Sequence, residues 1–318
     1  MSASAAATPL PGAPVLEIRG LRKTYKGHLS LTSREVIRGL DLTIEPGEVF
    51  GLLGQNGAGK TTIIKMILAL IFPDAGSIHV FGQPLGVRQR ARLGFLPENP
   101  WFYDYLTGRE FLHFYGQLFG YGRAERRRKA GDVLARVGMA ERADLPLRKY
   151  SKGMLQRIGM AQALINDPDL VILDEPMSGL DPIGRREFRD LILDLKARGR
   201  TVFFSSHILS DAEAICDRVG ILKEGRLAVA GRLSDLLSPQ VRSWEVTFAG
   251  APFDALHLDG FAGALISVRG SESLVRVDSE TDLNRLISAL RAAQGSLISV
   301  AARRETLEDL YLREVAAR

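Results

Sequence analysis

Gly54-Gln55-Asn56-Gly57-Ala58-Gly59-Lys60-Thr61 has the spacing G-x-x-x-x-G-K-[ST]. Each residue type has a reason there. The glycines at 54, 57 and 59 let the backbone curl so that several N–H groups point at one anion. A helix that starts at Lys60 aims its partial positive charge at the same place. Lys60 adds a full charge for β- and γ-phosphates, and the Thr61 hydroxyl can ligate Mg²⁺. A second constellation is Leu170-Val171-Ile172-Leu173-Asp174-Glu175, an apolar run ending in two carboxylates. Asp174 is placed to hold Mg²⁺, and Glu175 to polarise an attacking water. Alone, an acidic strand end is a weak signal. Downstream of a phosphate loop it points to nucleoside triphosphate hydrolysis.

These residues need a scaffold that brings distant segments together. Val49–Leu53 is nearly all apolar, as in a strand buried on both faces, and a helical stretch follows the glycine loop. Residues 107–163 carry helical periods, with Phe111, Phe114, Tyr115 and Leu118 on one face. The basic run at 123–129 reads as a solvated helix face. Strands at 170–173, 201–205 and 219–222 alternate with a helix carrying Phe188, Leu191, Ile192 and Leu195. Strands interleaved with crossover helices imply a largely parallel sheet flanked by helices. Short strands at 15–25 and 41–44 precede it. Past Pro239 the texture changes. Trp244, Val246 and Phe248 alternate, Leu283, Leu286, Ile287 and Leu290 share a helix face, and Thr306-Leu307-Glu308-Asp309 opens a last helix with a capping arrangement.

The chain has 318 residues, 46% hydrophobic and 25% charged, which suits a globular protein of about two domains. The 42 basic and 37 acidic residues leave a net charge of +5, which is no nucleic-acid footprint, so no nucleic-acid partner is expected. One cysteine, Cys216, excludes an internal disulfide. The richest apolar patch, residues 66–72, is far short of the ~20 residues of a membrane span. Residues 1–14, rich in small residues and proline, lack the basic start and apolar run of a secretory signal and read as a disordered tail.

Two further segments make a resemblance specific. Tyr150-Ser151-Lys152-Gly153-Met154-Leu155-Gln156 precedes the acidic strand; Ser178-Gly179-Leu180-Asp181 follows it, with Ser205-Ser206-His207 after the next strand. In this order, the segments resemble the ATP-binding subunit of an ABC transporter over residues 15–238. The resemblance implies an α/β fold: a P-loop NTPase core with a mixed, largely parallel sheet, an antiparallel β part and a helical subdomain at about 99–165, plus a small α+β accessory domain at 239–318. It implies that Tyr25 stacks on adenine and that Gly54, Asn56, Gly57, Ala58, Gly59, Lys60, Thr61 and Thr62 hold the phosphates. Thr61, Asp174 and Glu98 would serve Mg²⁺. Glu175, His207 and Lys60 would be catalytic. Ser151, Lys152 and Gly153 would meet the γ-phosphate of ATP held by a second subunit, and Asp181 would link the two sites.

The chain departs from the family pattern in three places. The signature reads Ser-Lys-Gly-Met where Ser-Gly-Gly-Gln is usual, Glu98 stands where glutamine is usual, and Met177 replaces threonine. With Leu96-Pro97-Glu98 and the C-terminal Leu307-Glu308-Asp309-Leu310-Tyr311-Leu312, these features resemble bacterial ATPases serving drug, sodium or polysaccharide exporters. The resemblance therefore implies ATP and Mg²⁺ as cofactors, a second ATPase subunit, a separately encoded membrane permease, and a place on the cytoplasmic face of the cell membrane. A competing reading is a soluble ABC ATPase that acts on ribosomes or DNA. Against it, the chain has a single ATPase unit and no room for a long coiled coil between Lys60 and Ser151.

Overall fold

The computed structural model describes residues 13–26, 33–256, 258 and 260–316. Most of the expected tail, residues 1–12, and the loop at 27–32 after Tyr25 lie outside the described residues. Contacts divide the chain into two units. The first runs to Leu233 and includes the residues from Glu314 onward; the second is Ser234–Arg313.

In chain order the first unit contains β1 (Leu16–Lys26), β2 (Ser33–Ile44), β3 (Val49–Leu53), α1 (Lys60–Ile67), β4 (Ala75–Val80) and β5 (Gln83–Pro84). It continues with α2 (Val87–Arg90), β6 (Leu93–Leu96), α3 (Gly108–Leu118), α4 (Arg123–Arg136), α5 (Lys152–Leu164) and β7 (Leu170–Asp174). Then come α6 (Pro182–Ala197), β8 (Thr201–Ser206), α7 (Leu209–Ile215), β9 (Arg218–Lys223) and β10 (Arg226–Arg232). One sheet has the order β10-β9-β3-β8-β7-β6, in which every neighbouring pair except β10–β9 is parallel. The other is antiparallel, with the order β2-β1-β4-β5.

The central strands β3, β7 and β8 are buried at every residue, which explains their unbroken apolar runs. Between the two sheets lies a core that includes Leu16, Ile18, Leu40, Ile44, Phe50, Leu52, Ile63, Ile64 and Ile67. Phe50 and Phe203 stack within the parallel sheet at 6.0 Å. In the helical region, α3 is capped by Thr107, whose hydroxyl accepts from Glu110 N while the Glu110 carboxylate accepts from Thr107 N.

The short strand expected at 41–44 is the end of a much longer one, Ser33–Ile44. Gly39, at φ +78°, is the extra residue of a bulge: Leu21 faces Leu40, and Arg22 faces Arg38. The bulge breaks the period-2 pattern, so the upper half does not read as a strand. The helix after the glycine loop is shorter than the apolar run suggests. It ends at Ile67, with Ala69 at φ +51° turning the chain.

The second unit builds an antiparallel sheet in the order β12-β13-β11-β14, from β11 (Val241–Ala249), β12 (Gly263–Arg269), β13 (Glu272–Val277) and β14 (Ser296–Arg304). The helix Glu280–Ala292 lays Leu283, Leu286 and Leu290 against Val246, Phe248, Val275 and Val277. Thr306 caps the last helix, Leu307–Ala316: its hydroxyl accepts from Asp309 N, and its N–H donates to the Asp309 carboxylate.

Close packing fixes how β6, the strand before Glu98, lies against α5. A Cβ on Gly94 would stand 2.1 Å from the Ala163 carbonyl oxygen of α5. Gly94→Ala is therefore expected to lower stability by about 1–3 kcal/mol, read as a fall in the urea midpoint at unchanged slope. A midpoint equal to wild type would contradict this packing.

Candidate active site

Four parallel strands, β3, β8, β7 and β6, stand side by side and run the same way, so the loops after them open on one edge of the sheet. After β3 comes the glycine loop. Its last residue, Gly59, is the N-cap of α1 at φ +114°, and a Cβ there would meet Ile37 Cδ1 at 2.6 Å. No side chain caps α1, which leaves its first backbone N–H groups facing the loop's concavity.

Lys60 is buried, and its ammonium donates to Gly54 O at 2.7 Å and Gln55 O at 3.3 Å. The same Nζ lies 3.0 Å from Glu175 Oε1 in an ion pair that is more than nine-tenths buried on both sides. The other carboxylate oxygen, Glu175 Oε2, lies 2.8 Å from His207 Nδ1. An ionised carboxylate only accepts, so in that state His207 carries the proton on Nδ1. Glu175 itself sits at φ +48°, a backbone conformation rare for a side chain of its size. Next to it, Asp174 Oδ1 accepts from Ser205 Oγ at 2.6 Å and from Thr61 Oγ1 at 3.3 Å. Ser205 Oγ also accepts the Glu175 backbone N–H at 2.9 Å.

These groups border a cavity of about 500 Å³ lined by Asn56, Gly57, Gly59, Lys60, Thr61, Thr62, Glu98, Glu175, Arg34 and Val36. A cavity with one wall of loop amides and Lys60, and another of carboxylates, suits a polyphosphate that carries a divalent cation.

The ABC transporter family model matches residues 37–178. An ABC transporter ATP-binding protein of Synechocystis sp. is 43% identical over 310 residues, which is 96% of this chain and 86% of that protein. The chain belongs to the ATP-binding proteins of ABC transporters. A fluoroquinolones export ATP-binding protein of Mycobacterium tuberculosis is 39% identical over 235 residues, 73% of this chain and 75% of that protein. A solved ATP-binding subunit of an ABC transporter is 32% identical, with a TM-score of 0.61 over 70% of this chain and 91% of that one. The P-loop NTPase fold expected from the sequence is thus that of the ABC ATPases, and its mixed sheets and helices are those described above.

In this ABC ATPase, the residues singled out in the sequence fall into two groups. Lys60, Thr61, Thr62, Asn56, Gly57, Gly59, Glu98 and Glu175 line one cavity. Asp174 and His207 join it through the contacts to Thr61 and Glu175. Gly54 supplies the carbonyl that holds Lys60, and Ala58 N donates to Gln55 O within the loop. Tyr25 is 43% exposed at the end of β1. Ser151, Lys152, Gly153 and Asp181 are not among the cavity's lining residues. Ser151 is exposed and caps α5, accepting from Met154 N, and Asp181 caps α6, accepting from Gly184 N at 2.6 Å. Lys152 reaches over the Ser178-Gly179-Leu180-Asp181 turn: a Cβ on Gly179 would lie 2.0 Å from its Nζ.

Two buried polar residues escaped assignment from the sequence. Ser205 is fully buried and braces both Asp174 and Glu175. Gln156 is buried and donates to Pro176 O at 2.8 Å, which ties the signature helix α5 to the chain just past Glu175. Neither type stands out in the sequence, where Ser205 lies between Phe204 and Ser206 and Gln156 between Leu155 and Arg157. Ser205→Ala leaves the Glu175 N–H buried without an acceptor. The expected cost is about 1–3 kcal/mol, measured by urea unfolding; a variant as stable as wild type would show that the Ser205 bridge carries no weight.

Proposed function

We propose that this chain hydrolyses ATP to power a separately encoded membrane permease of the export type. The observation that carries the reading is the chain Lys60–Glu175–His207 beside the phosphate-loop cavity, buried at Lys60 and Glu175 and open to solvent at His207. As the structure stands, Glu175 Oε1 is engaged by Lys60. When phosphates draw Lys60 toward them, Oε1 is released while His207 still holds Oε2. Glu175 then accepts a proton from a water whose oxygen attacks the γ-phosphorus. The bond to the β–γ bridging oxygen breaks, giving ADP and phosphate.

Mg²⁺ fits the donors present, because Thr61 Oγ1 and Asp174 Oδ1 are hard oxygens 3.3 Å apart. Among the described residues no cluster of three or more His, Cys, Asp or Glu is arranged to hold a metal alone. Phosphate oxygens and water would complete the ion's shell, and its charge would offset that of the phosphates. Glu98 lines the same cavity, so its carboxylate can accept from metal-bound water.

Ser151 and Gly153 lie outside the cavity of their own chain and reach a γ-phosphate only on a second copy, with the α5 N-terminus and the Ser151 hydroxyl turned to the anion. Tyr25 is exposed for stacking on adenine, and Asp181 links the two sites of the pair. Among the described residues no helix is long and apolar enough to cross a membrane, so the membrane path belongs to the permease. Trp101 is 92% exposed, and Tyr103 and Tyr105 are also exposed, which supports a docking surface for it. Phe102 instead packs on Phe111 at 5.2 Å. The export direction is supported by the name of the Mycobacterium relative. We place the ATPase domain at 15–238 and an accessory domain at 239–318, with the chain working at the cytoplasmic face of the membrane.

Turnover assays test the assignments. Lys60→Ala is expected to lose ATP binding. Glu175→Gln is expected to bind ATP with kcat lower by about 10²-fold or more. Normal turnover in Glu175→Gln would remove Glu175 from the base role. Glu175→Gln purified with ATP from detergent-solubilised membranes should carry a multi-span protein in stoichiometric amount; ribosomal or DNA-repair proteins in its place would overturn the transport reading.

A further inference from the structure

Arg34 lines the phosphate-loop cavity although nothing in the loop, the acidic strand or the signature points to it. It lies on β2, directly opposite Tyr25 on β1 in the antiparallel register. Directly opposed residues project to the same face, with Cβ atoms about 4.5–5.5 Å apart. Val36, the extra residue where the register shifts between Lys23–Ile37 and Thr24–Glu35, lines the cavity as well. Residues 34 and 36 of β2 therefore form part of the cavity wall, and Arg34 stands beside Tyr25 across the strand pair.

The charges around Arg34 are already matched. Glu35 pairs with Arg22 at 2.9 Å, Lys23 with Asp74 at 2.9 Å, and Arg38 approaches Glu224 at 3.9 Å. Arg34 itself has no hydrogen-bond or ion-pair partner among the described residues. An unpaired guanidinium at the rim of a phosphate-binding cavity presents a planar fork of donors matched to two phosphate oxygens.

We propose that Arg34 is a nucleotide-contacting residue that donates to the phosphates at the nucleoside end of ATP, next to the ring held by Tyr25. This rests on the reading of the cavity as the ATP site. Lys60 serves the far end of the polyphosphate, and Arg34 serves the near end, which ATP and ADP share. The cavity thus grips the nucleotide by both ends, and its hold on the near end survives hydrolysis.

The test is calorimetric binding of ATP and of ADP to the full chain, wild type beside Arg34→Gln, Arg34→Lys and Lys60→Ala. Arg34→Gln is expected to weaken ATP and ADP by a similar factor, about tenfold. Arg34→Lys, which keeps the charge without the fork, is expected to fall between Gln and wild type. Arg34→Gln within twofold of wild type for both nucleotides would overturn the proposal. So would a loss confined to ATP, or a Lys variant no better than Gln. Failure of the underlying reading looks different: wild type would not bind ATP, or Lys60→Ala would bind as well as wild type.

Discussion

The common direction of β3, β8, β7 and β6 is the constraint on which the rest depends. Parallel strands in neighbouring positions end on one edge of the sheet, so residues far apart in sequence meet without further arrangement. Lys60 follows β3, His207 follows β8, Glu175 follows β7 and Glu98 follows β6. Burial on both faces fixes the register of the central three strands, because a slip of one residue would carry a polar end into the core. Within that frame the order β3-β8-β7 matters. β8 lies between the phosphate loop and the acidic end, which is why Ser205 can brace Asp174 and Glu175 while His207 reaches Glu175.

A buried lysine–carboxylate pair is weak evidence for stability, since desolvation of both charges offsets much of their attraction. Its value here is positional. Lys60 is held by two loop carbonyls and by Glu175, and Glu175 by Lys60 and His207, so neither side chain wanders. The backbone of Glu175 at φ +48° is kept there by the bond from its N–H to Ser205. In the proposed mechanism, phosphates that compete for Lys60 disturb Glu175 directly, so the occupancy of the cavity is felt at the carboxylate proposed as the base. Gln156 extends that connection to α5 through Pro176, and Ser151 caps α5 at the surface where a second copy would meet it.

The parts of the site that the sequence shows are those whose chemistry demands a residue type at a fixed spacing. The glycine loop, the paired acids and the histidine after the next strand are of this kind. Ser205 and Gln156 act through spatial neighbours 20 or more positions away, Arg34 lines the cavity from across a strand pair, and their types are unremarkable where they stand. The same holds for the fold. Apolar runs announce β3, β7 and β8, whereas β2 hides behind the Gly39 bulge and its charged surface positions. In the second unit the alternation of Trp244, Val246 and Phe248 was legible; the edge strand β14, exposed at every residue, carries its apolar signal only over 297–300.

The central claim is that one chain holds only part of the machinery and that ATP completes it by joining two. Sedimentation of the Glu175→Gln protein with and without ATP and Mg²⁺ tests this most directly. The account predicts a monomer without nucleotide and a dimer with ATP, the dimer disappearing when Ser151 is replaced by a bulky residue. A protein that binds ATP yet stays monomeric, or that dimerises equally without nucleotide, would contradict it.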